Sequence, residues 1–155
     1  MPRIRFELPA SFPFSTEIPV RITDINYGGH MGNDSALGIL HEARVRFLES
    51  MGYREHDIEG SGIIMTEALL SYRAEIFHGD VLTVEIAVGE MEAHGCALFY
   101  RVTGARSGKE ALRARTIVAF FDYRERKVVP VPAAFARRFP AAGPAHPPAG
   151  PPQGS

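Results

Sequence analysis

A chain of 155 residues, 45% apolar and 23% charged, suits one globular domain with a real core, and a second domain is not expected. A formal net charge of -1 without a long basic run excludes general attraction to nucleic acid or to an anionic membrane, so any anionic ligand needs a local patch. Cys96 is the only cysteine, which excludes an intramolecular disulfide and a thiolate metal cluster within the chain. No stretch approaches a membrane span and the first residues lack the apolar run of a signal peptide, so the expected compartment is the reducing cytoplasm.

Residues 1 to 15 carry Pro2, Pro9 and Pro13 and predict an extended arm or short edge strand. Ile18, Val20 and Ile22 then alternate with Glu17, Pro19, Arg21 and Thr23, which predicts a strand over roughly 16 to 25 with one buried face. Asp24 and Asn26 share the buried parity. A carboxylate pointed at a core is costly unless something pairs with it, so Asp24 needs a reason to be there.

Tyr27-Gly28-Gly29-His30-Met31-Gly32 breaks the strand, Asn33 or Asp34 offers an N-cap, and Ser35 to Met51 reads as a helix. Ala36, Leu40, Ala43, Phe47 and Met51 form its apolar stripe, which Leu37 and Leu48 widen. Gly38 costs this helix about 1 kcal/mol relative to Ala. Either another backbone comes close there or the glycine has no structural purpose.

Beyond Gly52 and a polar connection, four segments read as antiparallel strands. They are Ile63 to Ala74, the alternating Val81 to Val88, Cys96 to Thr103 and Ala111 to Tyr123, with turns at His78-Gly79-Asp80 and Gly104 to Gly108. The connections are too short for crossover helices. Lys127 to Pro132 forms a last short segment, and Ala133 to Phe139 adds a helical turn. Cys96 lies in a strand and is expected to be packed and inert. From Pro140 to Ser155 the chain is mostly Pro, Gly and Ala, which divides it into a domain over 1–139 and a disordered tail over 140–155. Periodicity alone gives an α+β fold with one helix packed on an antiparallel sheet.

The chemistry gathers where the first strand meets the helix: a carboxylate at Asp24, an amide at Asn26, an imidazole at His30 and the open N–H groups of a helix start. The run Asp24-x-Asn26-x-x-x-His30-x-x-Asn33, followed by Glu42-Ala43-Arg44, resembles the hotdog-fold thioesterases of the 4-hydroxybenzoyl-CoA and acyl-ACP thioesterase group. The resemblance covers residues 16 to about 130. It implies a hotdog fold, an antiparallel sheet wrapped around one central helix, and dimers whose sheets join, hence a homodimer or homotetramer. This sequence departs from the motif at two places. The second acid, usually catalytic, is Asn26, and Gly32 replaces the first Asn of the pair.

On that resemblance the chain is expected to hydrolyse the thioester of an acyl or aryl group on coenzyme A. Asp24, or a water that it and Asn26 position, attacks the carbonyl, while His30 orients or protonates. Backbone N–H groups around Gly29 to Gly32 and the helix start stabilise the oxyanion. Asn33 and Glu42 complete the substrate-binding set by their match to the motif; for Glu42 the competing role is an i,i+4 pair with Arg46. No metal and no cofactor is implied. Two alternatives stay open: a non-catalytic acyl-CoA or acyl-carrier binding protein that lost the second acid, and a hydratase or dehydratase of the same fold. Arg73, Arg101, Arg106, Lys109, Arg113 and Arg115 put cationic groups on or beside strands; some are candidates to grip coenzyme A phosphates, but most are expected to be solvated strand faces and none is singled out as a binding residue.

Overall fold

The computed structural model describes residues 5–139. The expected tail lies outside them. Strand β1 (Phe14–Pro19) is followed by a single 3-10 turn (Ile22–Asp24) and helix α1 (Asn33–Ser50). Strands β2 (Gly62–Tyr72), β3 (Val81–Gly89), β4 (Gly95–Gly104), β5 (Glu110–Asp122) and the two-residue β6 (Lys127–Val128) come next, then helix α2 (Ala133–Arg137). The sheet runs β1-β3-β4-β5-β2, antiparallel throughout, with β6 beside β5. One long helix on such a sheet is the hotdog architecture.

Register explains which side chains meet the helix. Ile86 stands opposite Tyr100 and Tyr100 opposite Ala114, while Val84 faces Val102 and Leu98 faces Thr116. All of these are buried, as are Ala36, Leu40, Ala43 and Phe47 on the facing stripe of α1. Burial of each large apolar side chain contributes about 1.5–3 kcal/mol. Cys96 belongs to this core, and burial pushes its thiol up to about 12, so it is inert as expected.

Three local expectations are corrected, and at Gly38 one of the two open readings is chosen. The first strand stops at Pro19 rather than running to residue 25, because the Arg21 N–H turns to Asp24 Oδ2 and leaves the sheet; Ile22 is then 65% exposed. Helix α1 begins two residues earlier than expected, with Gly32 as its N-cap in place of Asn33 or Asp34 and no side-chain cap. Leu37 is exposed, since the sheet covers the stripe from Ala36 to Phe47 and leaves the flank of the first turns open. At Gly38 no other atom approaches within 4 Å of where a Cβ would sit.

Between α1 and the sheet lies a buried polar line. Arg44 is buried on α1, and its Nε donates to Glu55, which also accepts from His41 Nε2 at 2.9 Å. Burial pushes the Glu55 carboxyl up, but Arg44 and then His41 outweigh it and hold it below the usual carboxylate range. Arg44 Nη1, Tyr100 OH and Thr116 Oγ1 continue the line into the core without a well-aligned partner.

Two substitutions test this packing. Gly38→Ala raises stability by about 1 kcal/mol, since the position is helical and open, measured as a higher urea midpoint with an unchanged m-value. Glu55→Ala strands the Arg44 guanidinium in the core and lowers unfolding free energy by about 3 kcal/mol in the same assay.

Candidate active site

The loop from Arg21 to Asn33 is tied at both ends. Asp24 is 4% exposed, and its carboxylate accepts from Arg21 N at 2.9 Å and from the Arg21 guanidinium at 3.2 and 3.4 Å. Burial pushes this carboxyl up; the hydrogen bonds and charge of Arg21 prevail and hold it below the usual range. Asp24 O accepts from Gly32 N at 3.0 Å, and Asn26 N donates to His30 O at 2.9 Å, which closes the glycine segment into a narrow hairpin. Asn26 Oδ1 accepts from Gly28 N at 2.9 Å, an Asx turn that occupies the amide oxygen. Gly29 follows with a φ of 82°, a conformation that glycine adopts without strain.

This hairpin presents His30. Its Nδ1 stands 3.2 Å from Met31 O, and a carbonyl only accepts, so Nδ1 carries the proton and Nε2 holds the free lone pair in the neutral ring. Gly28 keeps that side open: a Cβ there would sit 3.3 Å from Nε2. The next residue is pinned from behind, where Met31 N donates to Ile76 O at 2.7 Å.

His30 lines a cleft of about 280 Å³ with Asn33, Ala36, Tyr72, Glu75 and Leu112. Tyr72 OH donates to Asn33 O at 3.1 Å and so ties the end of β2 to the start of α1. Burial, and secondarily the charge of Asp34, raises the Tyr72 phenol above its ordinary value and keeps it a donor. Because Gly32 supplies no side-chain cap, the first-turn N–H groups of α1 remain open beside this cleft.

Of the residues expected from the sequence, the structure brings His30 and Asn33 together in the cleft. Asp24 and Asn26 support the loop and do not line it. The N–H groups of Gly29, Met31 and Gly32 are already bonded, to Asn26 O, Ile76 O and Asp24 O, which leaves His30 N–H and the helix start as the open donors of this stretch. Glu42 lies on another flank of α1, in a groove with Pro19 and Arg21, and accepts from Arg46 Nε at 2.9 Å as the i,i+4 alternative expected. Sequence reasoning missed Tyr72 and Glu75. Both sit where β2 gives way to the segment leading into β3, and only the pairing of Met31 with Ile76 brings them to the hairpin. Among the described residues no group of three His, Cys, Asp or Glu could hold a metal, and no helix is long and apolar enough to cross a membrane.

The thioesterase-like superfamily model matches residues 20–139, which span the hairpin, helix and sheet. The chain belongs to this superfamily. Among solved structures it is similar to a 1,4-dihydroxy-2-naphthoyl-CoA thioesterase from Synechocystis, at 25% identity and a TM-score of 0.72, covering 79% of this chain and 92% of that one. A putative thioesterase from Pseudomonas aeruginosa matches at 22% identity and TM-score 0.74, over 83% and 98% of the two chains. A Thermus thermophilus thioesterase complexed with coenzyme A and zinc matches at 20% and 0.71, over 84% and 100%. No curated protein sequence matches. This superfamily member therefore combines the expected fold with a loop whose Asp24 is tied to Arg21.

The Asp24 clasp has a pH signature. Its carboxyl is held low in the folded chain, so the stability it contributes is full above about pH 3.9, the ordinary Asp value, and is lost as pH falls through the lower folded value. Asp24→Asn lowers Tm at pH 7, and the gap to the wild type closes below that value in thermal scans from pH 7 to 2.

Proposed function

We propose that this chain hydrolyses acyl-CoA thioesters, aryl-CoA included, in the cleft between His30 and the start of α1. The observation that carries the reading is the fixed polarity of His30, whose Nδ1–H is held by Met31 O while Nε2 has no hydrogen-bond partner among the described residues, in a cleft that His30 shares with Asn33 and Ala36 of the uncapped helix start. His30 Nε2 takes a proton from water as the water oxygen bonds to the thioester carbonyl carbon. The carbonyl oxygen gains the negative charge and is held by the first-turn N–H groups from Asn33 onward. The C–S bond then breaks, and the His30 imidazolium returns its proton to the leaving thiolate. Asp24 and Asn26 act as positioning residues through the hairpin. Glu42 has no part in the cleft.

Superfamily membership and the coenzyme A complex of the Thermus relative support a coenzyme A thioester as substrate. The free edge of β2 supports a homodimer whose sheets join, with the homotetramer as a pair of such dimers. β2 ends the strand order, four consecutive residues from Met65 to Ala68 are exposed, and Tyr72 and Leu37 add exposed apolar surface. A single buried thiol, Cys96, fits the cytoplasm.

Hydrolysis of a panel of short, long and aryl acyl-CoAs tests the reading. His30→Ala lowers kcat about 100-fold or more, whereas Asp24→Asn reduces activity only as far as it loosens the fold. A loss with Glu75→Gln that equals the loss with His30→Ala would move the base from the imidazole to the carboxylate that shares the cleft. Tight acyl-CoA binding without hydrolysis of any thioester would replace the enzyme with a binding protein.

A further inference from the structure

The cleft does not end at Glu75. Ala74, Glu75 and Ile76 line it on one side, and on the other they line a second cavity of about 410 Å³ that runs to the β4–β5 turn. Arg106, Ser107 and Lys109 stand at that far end, and Phe77 and Asp80 lie between.

Most cations on strands have an acid to hold. Arg101 bonds Glu85 twice, Arg113 bonds Glu110 twice, and Arg115 bonds Glu90. Among the described residues Arg106 and Lys109 form no ion pair. Ser107 Oγ accepts from Lys109 N at 3.2 Å, which leaves its hydroxyl proton to donate outward. Two acids also line this cavity: Glu75 at the end shared with the cleft, and Asp80, which turns one carboxylate oxygen to Phe77 N at 2.8 Å. Phe77 itself is half exposed and offers an apolar face on the path.

We infer that the β4–β5 turn is the phosphate-binding end of the acyl-CoA groove, with Arg106, Lys109 and Ser107 holding the nucleotide phosphates of coenzyme A. This rests on the reading of the His30 cleft as the thioester site. The acyl thioester sits at His30, the pantetheine arm follows residues 74–76, and the phosphates meet two cations and a hydroxyl, a donor set suited to them. Phe77 supplies a face for the adenine ring.

The experiment compares the wild type with the Arg106→Ala/Lys109→Ala double variant on an acyl-CoA and on the matching acyl-pantetheine, which lacks the nucleotide. The expected result is a KM for acyl-CoA raised about tenfold with kcat unchanged, while acyl-pantetheine kinetics stay the same. Raising salt weakens acyl-CoA binding in the wild type more than in the variant. Equal KM values for acyl-CoA, or equal losses on both substrates, overturn the inference and leave the cleft reading intact. If the wild type hydrolyses neither substrate, the cleft reading fails, and calorimetry with free coenzyme A decides the inference: about tenfold weaker binding by the variant upholds it and equal binding overturns it.

Discussion

A carboxylate cannot be buried alone, and the arrangement of this protein's site follows from how Asp24 meets that constraint. Its partner is three residues away, so the chain must curl for Arg21 to reach it with both N–H and guanidinium. The curl ends β1 early and sends the chain away from the sheet. Gly32 N then closes on Asp24 O and sets where α1 begins. His30 is thus placed by a clasp that lies outside the cleft.

The helix is held with similar economy of position. Its apolar stripe shares one buried core with side chains of β1, β3, β4 and β5, and its two flanks are tied by arginines. Arg44 reaches Glu55 in the connection to β2, while Arg46 donates to Thr16 Oγ1 at 3.0 Å and Glu17 O at 2.8 Å on β1. These ties oppose rotation of α1, so the open N–H groups of its first turn keep one direction. A group that must meet charge as it develops needs that fixity more than it needs strength.

The cleft and the groove share one short stretch, residues 74–76, which crosses from β2 to β3. That crossing joins the hairpin through Met31 and Ile76 on one side and leads to the β4–β5 turn on the other. An elongated ligand bound as proposed would follow a single path, with its reactive end at an imidazole and its anionic end at cations. The free edge of β2 starts from the same place, so addition of a second sheet would border the cleft.

Residue spacing along the chain was enough to place the elements and most of the core. Alternation at Leu82, Val84 and Ile86, and at Leu112 through Phe120, is a local property of chain spacing, and burial followed it. It also pointed to residues 24 to 33 as the stretch where polar groups gather, since glycines, an imidazole and a helix start stand within ten positions. It could not tell which polar groups were free. Asp24 and Asn26 had the composition of a catalytic pair, but their hydrogen bonds to Arg21 and Gly28 depend on a turn that alternation does not encode. Tyr72 and Glu75 lie more than forty residues beyond His30, and only the packing of the β2–β3 crossing against the hairpin puts them in its cleft. Tertiary structure decided the site because a polar side chain's role depends on whether a neighbour has already taken its lone pairs and protons, and neighbours in space are not neighbours in sequence.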